Sequence, residues 1–75
     1  MLRSGAYRGY FYSHEPNEPA HVHIDRDEKT AKFWLSPVAL AQNLGFSPRE
    51  LAQIERLVQT HLQELLEAWH ENFGS

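Results

Sequence analysis

From Leu51 to Phe73 the apolar residues recur at steps of three and four. Leu51, Ile54, Leu57, Val58, Leu62, Leu65, Leu66, Ala68, Trp69 and Phe73 fall on one face of a 3.6-period helix. No glycine or proline interrupts the stripe, so it predicts one helix over about 48–72, roughly 37 Å long at 1.5 Å per residue. Its start is marked by Phe46-Ser47-Pro48-Arg49-Glu50-Leu51. Ser47 is the expected N-cap, Pro48 the first helical residue and Glu50 the third, which makes a capping box. Phe46 and Leu51 take the two positions of a hydrophobic staple. Such a helix must bury its stripe, and the rest of the chain has to supply the surface.

That surface reads as a sheet. Tyr7–His14 is rich in aromatics, His21–Arg26 alternates polar and apolar, and Thr30–Leu35 continues in strand-forming residues. Glu15–Pro19 and Asp27-Glu28-Lys29 are turn sequences between them. Short connections predict an antiparallel meander of three strands, over about 7–14, 21–26 and 30–35. Ser36-Pro37 reads as an N-cap and first helical residue, which predicts a short helix over about 37–43 stopped at Asn43-Leu44-Gly45. The expected fold is α+β: residues 1–75 form one small domain in which the sheet packs one face on the long C-terminal helix.

Size and composition narrow the function. Seventy-five residues leave no room for a second domain, and a chain this short buries only about 60% of its unfolded surface. A permanent partner or homo-oligomer would stabilise it by mass action. With no cysteine, disulfides, thiol catalysis and Cys-ligated metal are excluded. No apolar run approaches the ~20 residues of a membrane span, and the N-terminus has no apolar leader, so the expectation is a soluble cytoplasmic protein without membrane contact. Ten acidic against seven basic residues give a net charge of −3, which disfavours nucleic-acid binding driven by charge alone.

If Val22 and Ile24 point to the helix, His21, His23 and Asp25 point away. Likewise Ala31, Phe33 and Leu35 go in, leaving Lys32 and Trp34 out. On the first strand either alternation is possible; putting Arg8, Tyr10, Tyr12 and His14 outward completes a face of histidines, aromatics and cations. A slip of one residue would invert part of it. Three readings stay open. His21 and His23, with His14 or Asp25, could ligate a divalent metal such as zinc. Alternatively, His21 and His23 are acid–base residues needing no cofactor, Arg8 and Lys32 bind phosphate, and Tyr10, Tyr12, Trp34 and Asp25 complete the binding surface, a set suited to single-stranded RNA. Or the face is a protein interface, where Tyr, Trp and Arg are enriched. His61 falls in the apolar arc and reads as a core histidine, the alternative being that it joins the strand histidines at a sheet–helix edge; Glu55 snorkels beside it, and His70 is solvated. The segment 41–51 looks like a helix-turn-helix, but the exposed acidic residues Glu50, Glu55, Glu64, Glu67 and Glu71 make DNA an unsuitable partner.

The segment Pro19-Ala20-His21-Val22-His23-Ile24 resembles the Pro-Pro-His-x-His-Val motif of the bacterial "domain of unknown function 4160" family. Tyr10–Ser13, Ala31–Leu35 and Glu64-Leu65-Leu66-Glu67-Ala68-Trp69 extend the resemblance from about Leu2 to Phe73; Ala20 departs from it, standing where the family has a second proline. The resemblance implies a small cytoplasmic bacterial protein, often encoded beside a member of the "domain of unknown function 2442" family. That arrangement is similar to a toxin–antitoxin module, with this chain as the toxin-like member, an antitoxin-like cognate partner, and RNA as a candidate target by analogy.

Overall fold

The computed structural model describes residues 2–11 and 18–73, with residues 2–4 as backbone alone. Five strands run in chain order β1 (Leu2–Ser4), β2 (Tyr7–Tyr10), β3 (His21–Arg26), β4 (Lys29–Leu35) and β5 (Val38–Leu44). They form one antiparallel sheet in the order β1-β2-β3-β4-β5. Helices α1 (Pro48–Thr60) and α2 (Leu62–Phe73) follow. The α+β class and the meander are as expected; the sheet has five strands where the sequence predicts three. Of the predicted strand 7–14, Tyr7–Tyr10 pairs, and Tyr12 and His14 lie outside the described residues.

The largest correction is at 37–43. The predicted short helix is strand β5, and Ser36-Pro37, joined by a cis peptide bond, is the two-residue turn between β4 and β5. Leu35 faces Val38 across it. Proline after serine fits both a helix start and a tight turn. The unpaired edge of β4 decides between them, because pairing satisfies its backbone groups. With no first helix, the helix-turn-helix resemblance has no structural basis. A register shift between Lys32 and Phe33 leaves Ala41 as an extra residue, a bulge in β5. Gly45 then turns the chain at φ +106, where a Cβ would lie 3.1 Å from Lys29 Cγ.

The core is Val22 and Ile24 of β3, Ala31, Phe33 and Leu35 of β4, Phe46, and Ile54, Val58 and Leu65 of the helices, all buried. Strand alternation therefore assigns the covered face as the sequence predicts. The capping box forms as read: Glu50 N–H donates to Ser47 Oγ at 3.2 Å, and Ser47 N–H to Glu50 Oε1 at 3.0 Å. The predicted single helix is interrupted at His61, whose φ of −104 and ψ of 16 leave the helical range. No sequence breaker stands there. The break turns the chain from α1, which lies against β5, to α2, which lies against β4. His61 is half-buried at this corner rather than a full core residue, and its Nδ1, 3.5 Å from Glu64 Oε1, makes no hydrogen bond among the described residues.

Glu50 also receives Lys29 Nζ at 3.1 Å, tying β4 to the start of α1. The Ser47 N–H, and after it Lys29, hold the Glu50 carboxyl below the usual glutamate range. A carboxyl with a depressed folded pKa stabilises the fold above its unfolded pKa, and that contribution disappears as pH falls through the folded one. Glu50→Gln is therefore expected to reduce stability near neutrality and to flatten the acid limb of the pH–stability curve. Urea unfolding at a series of pH values reads both effects; parallel curves for the two proteins would contradict this role.

Candidate functional site

On the face turned away from the helices, register brings the candidate residues together. Arg8 pairs with Asp25, Tyr10 with His23, His23 with Lys32, and His21 with Trp34. Opposed residues of an antiparallel pair share a face. The outward alternation of β2 is thus the one carrying Arg8 and Tyr10, as Gly9 is buried opposite Ile24.

The side chains of this face hold one another. Tyr10 Oη donates to Asp25 at 3.0 and 3.1 Å, and its ring stacks on His23 with centroids 5.6 Å apart. Arg8 approaches the same carboxylate at 3.9 Å from an exposed position. Lys32 Nζ lies 4.8 Å from the Trp34 ring centre and forms a salt bridge with Glu18. Both cations proposed for phosphate binding thus stand beside a carboxylate.

The two histidines differ. His23 is half-buried within the face. His21 is 0% exposed and is the buried polar side chain of the described core. Its ring meets Trp69 at 5.0 Å, His23 at 5.2 Å and Trp34 at 5.7 Å. Alternation puts His21 on the outer face, but it starts β3 at the end of the sheet, where Trp69 of α2 covers it. Its Nδ1 lies 2.8 Å from the Pro19 carbonyl. A carbonyl can only accept, so Nδ1 carries the proton and donates. Glu18 Oε1 is 3.8 Å from the same nitrogen.

Beside this cluster a shallow groove of about 170 Å³ is lined by His23, Thr30, Ala31, Lys32, Gln42 and Leu44. Thr30 shares the outward alternation of Lys32 and Trp34, which is the signal that could have found it. Gln42 and Leu44 were not legible as site residues because 37–43 reads as a helix stopped at Asn43-Leu44-Gly45. The signal that could have found these two is the seven-residue span between Pro37 and Gly45, short for a helix and ordinary for a strand. The metal reading takes His21 and His23 with either His14, which lies outside the described residues, or Asp25. Among the described residues no group of three or more His, Cys, Asp and Glu is placed to hold a metal ion. No described helix is long and apolar enough to cross a membrane.

Fold and face define a small α+β protein whose antiparallel sheet buries one side under two helices and carries histidines and aromatics on the other. Residues 6–70 match the model of a family described as a domain of unknown function (DUF4160), and the chain belongs to that family. No curated protein and no solved structure matches it.

Proposed function

We propose that this chain is a protein-binding module, the toxin-like member of a two-protein pair, and that it meets its small cognate partner through the outer sheet face. The observation that carries this is the pairing of the face's charges. Lys32 is matched by Glu18 and Arg8 approaches Asp25, so little unmatched positive charge is left for a phosphate backbone. What the face offers is Tyr10, His23 and Trp34, amphipathic rings already held in place by neighbours. Preorganised aromatics of this kind supply interface affinity at low entropic cost.

The test is a titration with the protein encoded beside this chain, alongside a fluorescent single-stranded RNA oligonucleotide. The neighbour is expected to bind with little salt dependence, and Tyr10→Ala and Trp34→Ala are each expected to weaken it at least about tenfold. Unchanged affinity in both variants would refute the face. RNA binding that falls steeply with salt would instead favour the acid–base reading. In that reading His23 meets the substrate, and enclosed His21 positions it.

A further inference from the structure

The two edges of the sheet are unlike. β1 is three residues long and carries Arg3. Short, charged edges resist pairing with other chains. β5 is seven residues long, has no internal proline, and among the described strands is the one without a charged residue. The exposed large hydrophobics of the described residues, Leu40 (44%) and Leu44 (56%), both belong to it. They lie on opposite faces: Leu40 pairs with core Phe33, whereas Leu44 pairs with Thr30 and lines the outer groove beyond the bulge. A protein docking on either face would cover one of them. A strand added in the plane of the sheet beside Val38–Leu40 reaches Leu40 and also satisfies the backbone groups of that edge, which docking on a face does not.

We infer that β5 pairs with β5 of a second copy of this chain, antiparallel and about a two-fold axis. Charge selects this occupant. An uncharged strand offers nothing to a charged partner strand, whereas its own copy brings no like charges into opposition. The regular stretch Val38–Leu40 before the bulge sets the register. Centred on Ala39, it places Val38 opposite Leu40 of the second copy on the helix side, an apolar pair at both ends. A two-fold axis perpendicular to the sheet keeps the helices of both copies on one side. The second copy's Ser36-Pro37 turn then lies beside Ala41 and Gln42, at the open flank of the groove. Two outer faces become one continuous surface of ten strands. This inference stands apart from the docking face, since it uses neither Tyr10 nor Trp34.

Sedimentation equilibrium of the full chain tests it. The expected result is a dimer at about 200 µM, dissociating on dilution by mass action. Leu40→Lys sets a lysine against the apolar pair and is expected to weaken the dimer at least about tenfold, while Gln59→Lys on the exposed side of α1 leaves it unchanged. In the unmodified chain, hydrogen exchange of the Val38–Leu40 amides is expected to slow as concentration rises, which reads the interface even if Leu40→Lys fails to fold. A monomer throughout this range overturns the inference. So does a dimer whose assembly leaves β5 exchange unchanged.

Discussion

Phe33→Ala is expected to destabilise the protein by about 3–5 kcal/mol, read as a fall in the urea midpoint. Phe33 is 1% exposed on β4, between Val22 of β3 and Leu40 of β5. Truncation loses the transfer free energy of the ring and leaves a cavity, because both neighbouring strands are fixed by their own pairing. At roughly 0.05–0.15 kcal/mol per residue, a 75-residue domain has about 4–11 kcal/mol in total. The variant therefore sits near the limit of folding. A loss below about 1 kcal/mol would mean that the helices collapse into the space, contrary to the close packing described.

Trp69→Ala is expected to cost a similar ~3–5 kcal/mol and to uncover His21. The Trp69 ring is 4% exposed and meets His21, Phe11 at 5.3 Å and Phe73 at 4.2 Å. It closes the end of the sheet where β3 begins. A histidine-acylating reagent is expected to spare His21 in the parent and to modify it in the folded fraction of the variant. Trp69→Phe keeps a ring over the site and should preserve both stability and protection to a large degree. His21 equally reactive in the parent would show that α2 does not cover it.

Much of the buried face was legible because a strand's alternation has a fixed period of two. Val22, Ile24, Ala31, Phe33 and Leu35 are inward in the sequence reading and buried in the structure. The start of α1 was legible too, since Ser47 and Glu50 satisfy each other's backbone groups within four residues. Of the candidate face, the positions of His21, His23, Asp25, Lys32 and Trp34 follow from alternation, the choice for Arg8 and Tyr10 was settled only by pairing, and the separate conditions of these side chains were not legible. Nothing local in His21-Val22-His23 distinguishes an enclosed histidine from a half-buried one. Trp69, 48 residues away, makes that difference. The pairing of Lys32 with Glu18 is likewise set by the approach of residues 14 apart.

The sequence by itself determined what depends on short-range chemistry: the class of the fold, the covered side of the second and third strands it recognised, and the capped helix start. The tertiary structure decided the identity of residues 38–44 and the break at His61. Val38–Leu44 can satisfy its backbone either within a helix or along an edge, and the open side of β4 supplies the partner that settles it. His61 carries no breaker; the helix ends there because its two halves lie on different strands. Local propensity differs between such alternatives by less than the free energy of pairing and burial, so the contacts between elements prevail.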